Sequence, residues 1–350
     1  MAMGGDSVNR LVLMVLSLAA LAAALPVSGL RGQAASGPAT RAASAPASRE
    51  SRGSLKPESF ELIEVTLSPA ALLGGTEPNA PGNAADDYRK AIEVCKANAD
   101  RIADAMDRMD EISAGKYKLS PSVMKTLETI LDHVSAGAAK REMQFTTPQD
   151  LAVRYADDRA ARLARVSEAL VLLVNAYYSA KDYERLEKTL RAKLVLGWHM
   201  AGEHVRATMC LQGLEIQTQA AGAMRVLYGK WEKEDRAAVL KAAGEYEAAV
   251  RTAARAYRVK FSQVWKAMPQ PEDVFAVLEA DKDRAWRVEG LLLCGVIRFT
   301  RTEDAAVQKA AAKFLETHAD DKDPFVKAAA AAAAGLTKKA FEHVGDPAER

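Results

Sequence analysis

From Asn83 onward the apolar residues recur at intervals of three and four, the spacing of a helix with one buried face. Tyr88, Ala91, Ile92, Cys95, Ile102, Met106 and Met109 form the first stripe, opened by Asn83 as an N-cap. Ser120-Pro121 is a cap followed by the proline favoured in a first turn, and Val123, Leu127, Ile130, Leu131 and Val134 continue it. Thr147-Pro148-Gln149-Asp150 repeats that signal and predicts a third helix to about Ser179. A fourth helical span begins near Asp182 and meets no proline until Pro269. Because globular helices rarely exceed about 25 residues, glycines should divide it, Gly229 first and then Gly197 or Gly202. The predicted fold is therefore all-α, an antiparallel helical bundle or an α-solenoid of helix hairpins.

Before Asn83 the pattern differs. Leu11 to Leu25 is apolar almost without break and follows Arg10, the arrangement of a secretory signal. Val27-Ser28-Gly29 or Gly32-Gln33-Ala34 would offer small residues for cleavage. Counted to Leu30, the same stretch approaches the roughly 20 residues that span a bilayer, so residues 1–30 read as a signal peptide or an uncleaved anchor. Both place the body outside the cytoplasm, periplasmic or extracellular, and contact with a membrane is expected only through this segment if it stays uncleaved. No cysteine lies near it for a lipoprotein anchor. Residues 31–58, rich in Ala, Ser, Pro, Gly and Arg, are expected to be a disordered linker, having too little apolar area to offset ordering. Residues 59–82 are expected as an arm and loop: Phe60 to Leu67 as a strand or extended arm, then a turn-rich loop from Gly74-Gly75 to Pro81-Gly82. The helical body runs over 83–268, with shorter helices over 269–345.

Composition narrows the function. Of 350 residues 49% are apolar and only 6% aromatic, with alanine, the best helix former, abundant. The 48 basic and 46 acidic side chains leave a net charge of +2, without the excess positive charge of a nucleic-acid binder. Cys95, Cys210 and Cys294 are too few and too scattered for a disulfide framework and read as small buried hydrophobes.

Two segments look like helical repeats. Leu173 to Tyr183, LVNAYYSAKDY, followed by Leu186, Leu190 and Leu194, resembles a tetratricopeptide helix–turn–helix, and Tyr88 to Glu93 looks like the end of that motif's second helix. A closing proline and a regular period of about 34 residues are missing. Asp281-Lys282-Asp283 recurs as Asp321-Lys322-Asp323, with Arg287 aligning to Lys327 and Gly295 to Gly335. An acidic turn leading into an apolar helix at a period of about 40 residues resembles HEAT-type repeats. These resemblances imply stacked hairpins and name no activity.

Candidate chemistry is sparse. His199 and Glu203, four apart, would share a helical face beside His204 and could hold a metal. They match neither H-E-x-x-H nor H-x-x-E-H, so a solvated or packed face competes with that reading. Asp104, Asp107, Asp110 and Glu111 read as the wet face of an amphipathic helix, and Asp320-Asp321 as surface charges. No nucleophile elbow or phosphate loop is present. Tyr177, Tyr178, Tyr183 and Trp198 bracket one hairpin, and Trp231, Tyr246, Tyr257 and Trp265 follow on the next long helix; such residues serve interfaces or cores. The expectation is a cofactor-free, non-enzymatic interaction protein of the cell envelope with a protein partner and no nucleic acid. A helical enzyme acting on a glycan-like polymer and a small-ligand or metal carrier are the alternatives.

Overall fold

The computed structural model describes residues 68–153, 159–267, 283–300 and 304–335, together with Phe275 and Leu278. Over these residues the protein is all-α apart from one small sheet: twelve bounded helices and two short strands. The N-terminal segment, the 31–58 linker, Phe60 to Leu67 and the first Asp281-Lys282 pair lie outside the described residues. Among the described residues no helix is long and apolar enough to cross a membrane.

The chain enters through a 3-10 turn at Pro69–Leu72, whose Leu72 is fully buried, and the expected loop after it ends in a strand, β1 (Ala80–Asn83). Asn83 then caps α1 (Ala84–Ala97), its side-chain oxygen accepting from the Ala85 amide at 3.0 Å. The same side chain receives the Gln144 amide at 2.9 Å and donates to the Gln144 carbonyl at 2.9 Å, tying α1 to the segment after β2 (Lys140–Glu142). β1 and β2 pair in parallel, Ala80 with Lys140 and Asn83 with Glu142, with an irregularity between. Because one side chain serves a cap and a long-range bridge, Asn83→Ala should cost about 1–2 kcal/mol in urea unfolding. A change below a few tenths would show that water replaces both roles.

The first stripe does not make one helix. It divides into α1, α2 (Ala99–Met106) and α3 (Met109–Ser113); at the first break Asn98 turns its side-chain amide back onto the Val94 carbonyl at 2.9 Å and competes with the helical ladder. The acidic stripe on α2 and α3 is exposed, as expected. Ser120 caps α4 (Pro121–Ala138) by accepting from Val123, and a helix starts at Pro148 as predicted, α5 (Pro148–Val153). The predicted hairpin follows: α6 (Arg159–Ala180), a turn with Lys181 at φ 58°, and α7 (Tyr183–Gly202) capped by Asp182.

The long span after Asp182 breaks twice. One break follows Gly202, where His204 takes φ 49°; the other follows Lys230, beside Gly229, and separates α8 (Ala207–Lys230) from α9 (Arg236–Ala267). Gly197 is no break. It sits inside α7 where that helix meets α8, and a Cβ on it would lie 2.7 Å from the Gly213 carbonyl oxygen. Gln217 seals the crossing, donating to the carbonyls of Gly197 (3.1 Å) and Gly213 (3.2 Å) and accepting from Tyr246 of α9 (2.6 Å). Each polar atom of this fully buried amide oxygen and nitrogen is thereby satisfied, as burial requires.

The C-terminal helices are α10 (Arg284–Thr300), α11 (Ala305–His318) and α12 (Pro324–Ala334). Asp283 and Asp323, forty positions apart, each accept a backbone amide at the start of their helix. Arg284 reaches Asp323 at 2.6 Å and Arg287 reaches Asp321 at 3.1 Å, and Phe275 stacks on Phe314 at 5.2 Å. Asp320 is the surface charge expected; Asp321 is not, since it also holds the buried His318 at 3.2 Å. α10 packs on α12 and touches α8, while α12 also packs on α5, so the C-terminal helices close back onto the body. The three thiols are free and buried.

Candidate functional site

Helix α7 carries polar clusters near both ends, around Glu187 and His199, which its rise of 1.5 Å per residue sets about 18 Å apart. At its C-terminal end His199 is only 4% exposed, and its Nδ1 lies 2.7 Å from the hydroxyl of the fully buried Tyr88. Tyr88 can lie there because Gly137 of α4 leaves room: a Cβ on Gly137 would stand 2.5 Å from the ring. Burial pushes the His199 imidazole down to about 4, against the nearby carbonyls of Lys140 and Arg141, which favour the charged form. Glu203 is turned the other way; its Oε1 accepts the Phe145 and Thr146 amides at 2.7 and 2.5 Å. The three residues proposed for a metal are thus engaged as follows: His199 with Tyr88, Glu203 with backbone amides, His204 in a left-handed turn. Among the described residues no group of three or more His, Cys, Asp or Glu is placed to hold a metal ion. Trp198 is half-buried against His199, with ring centroids 5.2 Å apart.

The N-terminal end of α7 gathers most of the aromatic residues singled out for binding. Tyr177 points inward, donating to Glu128 at 3.0 Å, and burial followed by that carboxylate raises its hydroxyl to about 12. Tyr178 and Tyr183 are half-buried at the surface. Lys230, at the end of α8, hydrogen-bonds the Tyr178 hydroxyl and sits 4.9 Å from that ring's centre. Tyr183 meets Trp231 at 6.0 Å, and Trp231 meets Tyr228 at 5.9 Å. Trp231 is a capping residue in the α8–α9 connection, not a member of the next helix. Tyr246 and Tyr257 of α9 are buried. Tyr178, Tyr183 and Trp231 therefore share one edge, and Tyr177 and Trp198 do not belong to it.

Beneath this edge is a charged cluster that the sequence does not advertise. Glu187 of α7 is 8% exposed; its carboxylate accepts from the Tyr228 hydroxyl, from Arg191 at 2.6 Å and from Lys233 at 3.0 and 3.3 Å. Burial alone would raise its carboxyl, but the hydrogen bonds from Tyr228 and Lys233 and the charges of Arg191 and Lys233 outweigh it and hold it below the usual range. The Lys233 ammonium lies 4.8 Å from the Trp231 ring centre and 5.8 Å from that of Tyr228. One buried carboxylate, two aromatic faces and a cation thus converge. On the primary sequence Glu187 is one more charge on an amphipathic helix, and Lys233 one more in a charged loop; only Trp231 signals the place.

Two other features have part of the character of a site. Lys193 is 3% exposed, burial lowers its ammonium to about 8, and it donates to Gln219 of α8 at 3.1 Å. An open cleft beside the strands is lined by Asn79, Arg141, Glu142 and Gln144 among others. Its lining holds one carboxylate, short of the pair that glycoside hydrolysis uses. Compared with protein-family profiles, with curated proteins and with solved structures, the chain finds no match.

Proposed function

We propose that this protein is a non-enzymatic helical interaction protein of the cell envelope, delivered by its N-terminal segment and presenting stacked helix hairpins to a protein partner. The observation that carries the reading is the partly exposed edge of Tyr178, Tyr183 and Trp231 flanked by Lys230 and Lys233. In a chain this poor in aromatics, three partly exposed rings gathered on one edge of the core make an uncommon concentration of contact area. Tyr and Trp there offer large contact area at low entropy cost. A solenoid-like arrangement is supported at the C-terminus, where Asp283 and Asp323 cap successive helices and Arg284 and Arg287 bridge one turn to the next. Stacks of that kind offer extended binding faces.

The test is a crosslinking pull-down of the tagged full-length chain from intact cells, with mass-spectrometric identification. One envelope protein should be recovered near stoichiometry and lost on joint Tyr178→Ala and Trp231→Ala substitution, with the melting profile preserved. A chain recovered alone, or a partner retained by the double variant, would remove the reading. Protease added to cells with a permeabilised outer envelope should cleave it; complete protection would place it elsewhere.

A further inference from the structure

We propose that Glu187, Tyr228 and Trp231 form a seat for a primary alkylammonium group, the lysine side chain of a partner protein, which the chain's own Lys233 fills when nothing else is bound. The identity of the ligand rests on the protein-binding reading above; the seat itself does not.

The seat has a fixed floor and an open side. Glu187 and Tyr228 are buried, and the carboxylate is held by the Tyr228 hydroxyl and by Arg191 independently of Lys233. Arg191 comes from the same helix one turn later, so removing Lys233 leaves a neutral pair in place, not an uncompensated buried charge. The walls are the faces of Trp231 and Tyr228, and Tyr183 extends them. The Lys233 side chain is 35% exposed, and Trp231 and Tyr183 are partly exposed, so the cation reaches the seat from solvent. Lys233 also stands in the connection between α8 and α9, outside both helices, and can leave without breaking a helical hydrogen bond.

The contacts select the chemistry. Aromatic faces attract any organic cation, quaternary amines included. Lys233 also donates N–H bonds to both carboxylate oxygens, at 3.0 and 3.3 Å, and a quaternary amine cannot do that. A cation carrying N–H donors on a flexible apolar stem satisfies every wall. Beside it, Lys230 on Tyr178 repeats the pairing of a cation with a ring, so a partner with two spaced lysines would meet two such positions. An intramolecular occupant weakens external binding by its effective concentration divided by the seat's dissociation constant, so at about millimolar effective concentration a seat that holds lysine at about 0.1 mM is weakened about tenfold by its resident.

The experiment titrates blocked lysine (N-acetyl-lysine methylamide) and, separately, tetramethylammonium into the full chain. Binding is followed by calorimetry and by the Trp231 indole resonance. Lys233→Ala should bind blocked lysine at least about tenfold more tightly than the wild type, and tetramethylammonium less tightly than lysine. Glu187→Gln in the Lys233→Ala background should abolish the gain. Should Lys233→Ala fail to fold, Lys233→Met keeps the stem against the rings and tests the same vacancy. Folded Lys233 variants that bind lysine no better than the wild type would overturn the seat, as would a gain that survives Glu187→Gln. Preference for tetramethylammonium would overturn the primary-ammonium assignment. A seat that binds lysine while the pull-down recovers no partner would leave the seat standing and remove the envelope-scaffold reading.

Discussion

Replacing Gly213 with leucine should unfold the protein or cost at least about 3 kcal/mol, the larger end of what overpacking does. A Cβ at Gly213 would stand 2.5 Å from both the Ala201 nitrogen and the Gly197 carbonyl oxygen. Those are backbone atoms of α7, and they cannot swing aside as the end of a long side chain would. Accommodating leucine therefore means separating α7 from α8. Separation in turn strips Gln217 of its two carbonyl partners, leaving a buried amide unpaired. Even alanine at this position meets the backbone clash. The control is a glycine in the same helix with open space around it. Among the described residues nothing lies within 4 Å of a Cβ added at Gly229, so Gly229→Ala should raise stability by about 0.5–1 kcal/mol through helix propensity and reduced unfolded-chain entropy. Urea unfolding of the three proteins separates the cases. A Gly213→Leu variant within 1 kcal/mol (about a fivefold change in the equilibrium) of the wild type would mean that α7 and α8 do not cross this closely.

The second large effect is acid-dependent and belongs to His199. In the unfolded chain its imidazole takes up a proton near pH 6.5; in the folded protein burial defers this to about 4. Between those values the unfolded state binds more protons than the folded one, so stability falls as pH falls. The contribution is fully present above pH 6.5 and is lost on passing down through about pH 4. The gap corresponds to about 3 kcal/mol. Carboxylates held low by partners, such as Asp87 beside Lys140 and Lys90, also lose stability in acid, so the wild-type curve alone does not isolate the histidine. His199→Gln keeps a polar group opposite the Tyr88 hydroxyl but cannot titrate. The difference between wild type and variant, measured by urea unfolding from pH 7 to pH 4, should shrink by about 3 kcal/mol in the variant's favour. Parallel curves would show that His199 titrates alike in both states and that β2 does not seal it.

How much of this was legible can be seen residue by residue. Asn83, Ser120, Pro148 and Asp182 mark helix starts in the sequence, and the structure begins a helix at or beside each, because capping is a local interaction between a side chain and the next few amides. The helical class was legible for the same reason, from periodicity and from alanine. The breaks were harder. Asn98 interrupts a stripe that remains apolar on both sides, and Gly197, with the composition of a break, is a contact point instead. A glycine's sequence neighbours do not say whether another backbone will approach it.

The candidate site divides along the same line. Tyr178, Tyr183 and Trp231 were visible as rare aromatics, but Tyr177, adjacent in sequence, turns into the core, since neighbours on a helix point about 100° apart. His199 and Glu203 share a helical face, yet one is taken by Tyr88, 111 positions away, and the other by amides 57 and 58 positions away. Where helices can start, which faces are apolar and which residues are rare enough to notice are all written in local spacing and composition. Which glycine is a crossing, which charge is buried and which lysine rests between two rings were decided only by the tertiary structure. Those properties depend on groups brought together across α7, α8 and the connection after it, and no local spacing encodes them.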